Sequence, residues 1–207
     1  MTGSPLTYTR QVSRERTTKE TSISLRLAID GSGQVEVSTG LPFFDHMISQ
    51  LGRHAGFDLQ LKATGDLAVD AHHTVEDAGI ALGGALHDAL GDKVGVRRFA
   101  SIAVPLDEAL IEAALDLSGR PFLVYEVDPG AGGEAFPLGV PPFDPQLAEE
   151  FWRAFCTSSA ITLHMRMRSG RNTHHILEAS FKAVARALRD AVRIEGADVP
   201  STKGVLG

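Results

Sequence analysis

One pattern, His-His-x-x-Glu, occurs twice in this chain of 207 residues: His72, His73 and Glu76, then His174, His175 and Glu178. The two copies stand at a fixed displacement (174 minus 72 gives 102). The same displacement carries Val75 onto Leu177, Leu82 onto Val184 and Leu86 onto Leu188, while Gly79 falls on Phe181. In each copy these positions step by four, three and four, the spacing of one apolar stripe on a helix. A chain that repeats a chemical signature at the head of two equivalent helices is constrained to fold as two equivalent halves.

The segments before each pair agree with a duplication. Ile23, Leu25, Leu27 and Ile29 alternate as a half-buried strand does, and Asp30-Gly31 reads as a turn returning Val35 and Val37 as the second arm of a hairpin. A short helix over 44–55 comes next, then a strand through Phe57, Leu59 and Leu61 that turns at Thr64-Gly65-Asp66. In the second half Ile102 and Val104 begin a strand, and Ala113, Leu115 and Leu117 alternate before Ser118-Gly119. A helix over 147–157 succeeds them, then Ile161, Leu163, Met165 and Met167 alternate before Ser169-Gly170. The pattern predicts an α+β fold of two tandem halves with sheets on one side and helices on the other. The halves run over 14–95 and 96–196 and form one catalytic domain. Residues 1–13 are expected to be a flexible N-terminal segment, 128–145 an exposed Gly/Pro-rich loop insertion, and 197–207 a polar tail that is mobile without ligand.

Composition narrows the partners. A formal charge of −6 with 22% charged residues gives no basic face for nucleic acid and favours a small ligand held by local cations. No apolar run approaches the roughly 18 residues of a membrane span, and residues 1–11 lack a signal core. The single cysteine, Cys156 in "RAFCTSS", excludes an internal disulfide framework, suits a reducing cytoplasm and reads as a packed core thiol.

Of the eight histidines, four lie in the two pairs. Residues three and four apart share a helix face, so His72 or His73 can converge with Glu76, and His174 or His175 with Glu178. Adjacent histidines point apart, so each pair serves two metals or bridges two surfaces. Imidazole and carboxylate donors without thiolate suit Mn, Fe or Zn, with Mn the most tolerant of oxygen. His46 precedes the first pair by 26 residues and Glu150 the second by 24, at corresponding places on the short helices, so both are candidate ligands. His164 is out of phase with Leu163 and Met165, His87 falls on a solvated helix face, and pattern alone leaves His54 open. From the residues alone, a dimetal hydrolase and a metal-binding shell without turnover remain alternatives.

Taken together, "PFFDHM…LGRHAGFDL", "GD…AHHTVED", "PLDEA", "DLSGRP", "GRNTHHILEASFKAVARALR" and "PSTKG" resemble the imidazoleglycerol-phosphate dehydratase family, from about residue 14 onward. The resemblance implies a duplicated fold like the second domain of ribosomal protein S5. It also implies a 24-subunit shell and two Mn ions in each active site between neighbouring subunits. The implied metal ligands are His46, His72, His73, Glu76, His174, His175 and Glu178, with Glu150 where the family usually has histidine. The implied reaction is dehydration of imidazoleglycerol phosphate to imidazoleacetol phosphate in histidine biosynthesis, with Glu20 of "TTKET" as the base and Glu76 and Glu178 as further catalytic carboxylates. Substrate contacts are implied at Glu20, at His46 and His54 in the segment 46–54, and at His72, His73, Glu76, Arg98, Arg120, His174, Lys182, Ser201, Thr202 and Lys203. Arg98, Arg120, Lys182 and Lys203 would neutralise the phosphate, and the tail would close over it.

Overall fold

The inner faces of the strands carry the alternation that a sheet buried on one side requires. In β2 (Thr21–Ala28), Ile23, Leu25 and Leu27 are buried while the residues between them are exposed. β4 (Asp58–Gly65) repeats this with Leu59, Leu61 and Ala63. In this computed structural model, which describes residues 10–206, the order is β1 (Gln11–Thr17), β2, β3 (Val35–Ser38), α1 (Pro42–Ala55), β4 and α2 (His72–Leu90). The same order recurs as β5 (Phe99–Leu106), β6 (Ala109–Asp116), β7 (Phe122–Glu126), α3 (Leu147–Ser159), β8 (Thr162–Ser169) and α4 (Thr173–Ala191). The sheets are ordered β1-β2-β4-β3 and β5-β6-β8-β7, antiparallel except where β3 joins β4 and β7 joins β8 in parallel. The fold is α+β, with two similar halves.

The structure corrects three expectations from the sequence. Val35 and Val37 do not return as a hairpin arm; they lie parallel to β4, and the hairpin partner of β2 is β1. That strand begins at Gln11, inside the segment 1–13 expected to be flexible; residues 1–9 of that segment lie outside the described residues. It escaped a hydrophobic reading because its half-buried side is Val12, Arg14 and Arg16, two of them long cationic side chains lying along apolar surface. The loop 128–145 is not simply exposed. Phe143 is fully buried, stacked on Phe44 at 5.7 Å and tilted against Phe43 at 5.5 Å, and Thr173 Oγ1 donates to Pro129 O. The insertion therefore ties the second half to α1 of the first. The strand β7 was not expected either.

In each half the helices cover one face of the sheet, and the helices of the two halves then pack on each other, α1 with α4 and α2 with α3. The stripe residues Val75, Leu82, Leu86, Leu177, Val184 and Leu188 are all buried. The mismatch within the repeat has a packing cause. A side chain at Gly79 would bring its Cβ within 2.7 Å of Phe151 O, and one at Gly83 would overlap Phe155 O, so the two glycines let α3 lie directly on α2. At the equivalent of Gly79, Phe181 fills space instead, stacking on Phe151 at 5.4 Å and lying 4.7 Å from Trp152. Cys156 is buried, and burial pushes its thiol up to about 12.

Gly83→Ala is expected to cost about 1–3 kcal/mol, since the methyl group meets backbone that cannot rotate away. A thermal midpoint equal to that of the parent protein would show that α2 and α3 do not meet this closely.

Candidate active site

Both histidine pairs sit in the first turn of a long, largely buried helix, and both turns are fixed by a side chain two residues ahead. Asp70 Oδ1 accepts from His72 N at 2.8 Å, and Asn172 Oδ1 accepts from His174 N at 2.9 Å and His175 N at 3.3 Å. Positions 70 and 172 correspond in the repeat, so both caps came with the duplication. Within each pair the rings are nearly perpendicular, 88° at His72–His73 and 85° at His174–His175, with centroids 6.0 and 6.2 Å apart. Each pair thus faces two directions.

One direction, at His174, leads to a cluster shared with α1. His46 on α1 and His174 and Glu178 on α4 bring one donor atom each within 4.8 Å of one another. His46 Nε2 donates to Glu178 Oε2 at 3.1 Å and His174 Nε2 donates to the same oxygen at 2.8 Å, while Lys182 Nζ donates to Oε1 at 2.5 Å. Burial pushes the Glu178 carboxyl up, but these three donors outweigh it and hold it at about 2. Behind the cluster, Gln50 Nε2 donates to His46 Nδ1 at 3.4 Å and Gln50 Oε1 accepts from His54 Nε2 at 3.0 Å. Burial and the neighbouring Lys182 and Arg186 push the His54 imidazole down.

The other direction leads in both halves to a carboxylate. His73 Nδ1 donates to Asp66 Oδ2 at 3.0 Å, and His175 Nδ1 donates to Glu108 Oε2 at 2.8 Å. A carboxylate on Nδ1 fixes the tautomer that leaves Nε2 as a lone-pair donor, the arrangement typical of metal-bound histidine. The hydrogen bond from His175, with the N–H of Asn172, holds the Glu108 carboxyl at about 2; the bond to Asp66 raises the His73 imidazole. These donor sets of nitrogen and carboxylate oxygen, with Cys156 buried elsewhere, fit a divalent cation.

Among the described residues no second group of three converges as His46, His174 and Glu178 do. His72, Glu76 and Glu150 occupy the equivalent positions on α2 and α3, where two carboxylates and one imidazole replace two imidazoles and one carboxylate. Glu150 lies 4.0 Å from Arg153. The exposed turn between β1 and β2 brings Glu20 Oε2 to 3.8 Å from His73 Nδ1.

The expected phosphate contacts fall in two places. Arg98, Arg120, Ser201, Thr202 and Lys203 line one recess of about 700 Å³. Arg98 is already set within it: Nε and Nη2 donate to Asp116 at 2.7 and 3.1 Å, and Nη1 donates to Pro200 O at 2.8 Å, so the guanidinium also pins the tail. Lys182 stands instead beside Glu178. His87 is exposed, and His164 lies half-buried between the buried Leu163 and Met165, as expected. Sequence reading missed Asp66, Glu108, Gln50 and Asp116. Asp66, Glu108 and Asp116 carried a signal as the carboxylates of "GD…AHHTVED", "PLDEA" and "DLSGRP", and Gln50 lies within the segment 46–54.

Known proteins share both the sequence and the fold. The model of the imidazoleglycerol-phosphate dehydratase family matches residues 39–188. The imidazoleglycerol-phosphate dehydratase of Acidothermus cellulolyticus is 55% identical over 198 residues, covering 95% of this chain and 93% of its own. That of Methanopyrus kandleri is 50% identical over 192 residues, covering 93% and 94%. Among solved structures, the Pyrococcus furiosus protein of this kind aligns with a TM-score of 0.78 at 36% identity, over 93% of this chain and all of its own. The Staphylococcus aureus imidazoleglycerol-phosphate dehydratase aligns with a TM-score of 0.77 at 33% identity, over 89% of this chain and 99% of its own.

The carboxyls of Glu178 and Glu108, at about 2 against an ordinary 4.5, stabilise the fold fully above about pH 4.5, and that contribution is lost as pH falls through about 2. The thermal midpoint of metal-free protein should therefore drop across that window, and less steeply in Glu178→Gln. Equal slopes for the two proteins would detach Glu178 from the loss.

Proposed function

The chain belongs to the imidazoleglycerol-phosphate dehydratase family and is a carbon–oxygen lyase of histidine biosynthesis; on that premise we propose that it works with two manganese ions at a centre completed by a neighbouring subunit. The observation that carries this reading is the perpendicular setting of the rings in each pair, with Nδ1 of His73 and His175 held from behind by a carboxylate. His72, His73, Glu76, His174, His175, Glu178, His46 and Glu150 would hold the ions. Glu150 brings an oxygen where the family usually has nitrogen, which suits a cation tolerant of oxygen. Divalent cations held by these residues would supply Lewis acidity that favours the deprotonated form of the substrate's imidazole ring.

The remaining work falls to side chains of this chain. A carbon-bound proton must be removed, and Glu20, on an exposed turn beside His73, takes it. The hydroxyl leaves with a proton as water, so substrate loses one water in all. Such proton transfer supplies about 10²–10⁴-fold in rate. Arg98 and Arg120 offer forked contacts to phosphate oxygens, Lys182 and Lys203 act as point charges, and Ser201 and Thr202 add hydroxyl donors. The bond from Arg98 to Pro200 O supports a tail that folds over bound phosphate and excludes water. In a cytoplasmic shell of 24 subunits, His73 and His175, each held at Nδ1 by a carboxylate, would turn Nε2 to a metal shared with a neighbouring subunit; no helix among the described residues is long and apolar enough to cross a membrane.

Chelated protein should lose dehydration of imidazoleglycerol phosphate and regain it with manganese, the enol product being read by its ultraviolet absorption in alkali. Release of inorganic phosphate instead would point to a hydrolase. His72→Ala and His174→Ala should each abolish turnover together with bound metal, and turnover retained in either variant would reject the two-ion centre. Lys203→Ala should raise KM while leaving kcat nearly intact; an unaltered KM would remove the tail from substrate binding.

A further inference from the structure

The two halves present a glutamate to the same histidine and put it to different use. Glu20 directly precedes β2, which begins at Thr21, and Glu108 directly precedes β6, which begins at Ala109. Counted by strands, the two glutamates are equivalent (108 minus 20 and 109 minus 21 both give 88). Glu108 is fully engaged. Its Oε2 accepts from His175 Nδ1 at 2.8 Å, and its Oε1 accepts from the N–H groups of Arg171 and Asn172 at 3.2 and 2.8 Å. Glu20 is not. Its side chain is 54% exposed and stops 3.8 Å from His73 Nδ1, beyond hydrogen-bond range.

The difference lies just beyond the next central strand. In the first half Asp66, after β4, takes the His73 Nδ1 proton at 3.0 Å. The corresponding position after β8 is Gly170 (170 minus 66 and 162 minus 58 both give 104). No carboxylate can stand there: the backbone has φ 153°, and a Cβ would lie 2.6 Å from Ile176 Cγ1. The second half thus has one carboxylate for its outer histidine, and the first half has two. The turn carrying Glu20 is itself fixed. Thr18 Oγ1 accepts from Glu20 N at 3.1 Å, and the buried Asp77 on α2 accepts from Thr21 Oγ1 and from Arg16 Nε, the latter at 3.0 Å.

Resting on the reading of Glu20 as the proton acceptor, we propose that Asp66 is a positioning residue: by occupying His73 Nδ1 it leaves the Glu20 carboxylate free for substrate, while Glu108 serves only to orient His175. Without Asp66, the Nδ1–H group offers Glu20 a charge-assisted bond a small movement away, and a carboxylate so bonded is a weaker base.

The test compares kcat, KM and bound manganese per chain in the intact assembly for Asp66→Ala, Asp66→Asn, Glu20→Gln, the double variant Glu20→Gln with Asp66→Ala, and Glu108→Gln. Asp66→Ala should lower kcat on the order of 10- to 100-fold, within what a general base supplies, with KM and bound manganese little changed because Glu20 takes over His73. Asp66→Asn, which keeps an oxygen acceptor, should recover most of that loss. In the Glu20→Gln background Asp66→Ala should cost no further kcat at saturating manganese, while manganese binding should weaken by about 10–100-fold because no carboxylate is left for His73, as it should in Glu108→Gln for His175. A further fall in kcat at saturating manganese in the double variant as large as in Asp66→Ala alone, or a loss of manganese from Asp66→Ala as complete as from His73→Ala, overturns the assignment. Full turnover in Glu20→Gln alone overturns the base reading on which it rests, and is visible without any change at Asp66.

Discussion

Neighbouring side chains on a helix leave its axis about 100° apart, and that angle decides what a His-His pair can do. Neither pair here can close both rings on one ion. His174 turns toward α1 and joins His46 and Glu178; His175 turns away and is steadied from behind by Glu108. Much of the surrounding structure serves to keep those two first turns in place. Asp70 and Asn172 cap them, buried helix faces anchor them, and the β-hairpins bring carboxylates to their outer side. Each pair is divided by its own geometry into two directions.

The central strands and the helices were legible in the sequence because each buries one face at its own period. β2, β4, β6 and β8 each place apolar residues on alternate positions, and the stripe from Val75 to Leu86 recurs from Leu177 to Leu188. Edge strands were harder. β1 uses Arg14 and Arg16 where a hydrophobic reading looks for aliphatics, β3 has four residues, and β7 shows no alternation. The His-His-x-x-Glu signature was legible for the same reason as the helices: its spacing is local. The carboxylates that steady it were not, because Asp66 and Glu108 reach their histidines only after the sheet has formed. Arg98 shows the same limit. Its charge was visible, but its pairing with Asp116 arises across the hairpin of β5 and β6 and sets the orientation that charge alone leaves open.

Duplication supplied a frame, and the departures from it carry the specific chemistry. Gly79 and Phe181 occupy one position in the repeat, yet one removes volume so that α3 can approach and the other adds it between α3 and α4. Glu150 stands where the other half has His46, so the two sites differ in charge even before a cation arrives. The loop with Phe143 exists in one half only. It inserts its ring beside Phe43 and Phe44, and Phe43 in turn meets the His174 ring edge-on. Symmetry accounts for the scaffold, and asymmetry for which groups are free to react.

The pairing of α1 with α4 and of α2 with α3 has a historical consequence. Exchanging the two halves turns one of these pairs into the other, which is the relation found across a two-fold axis between identical subunits. Either half cut away from its mate would bare the helical layer that its mate now covers, and the natural remedy is a second copy of itself. The present chain is in that sense a dimer whose protomers have been joined end to end. Joined halves need not match, and Gly170 stands in one where Asp66 stands in the other.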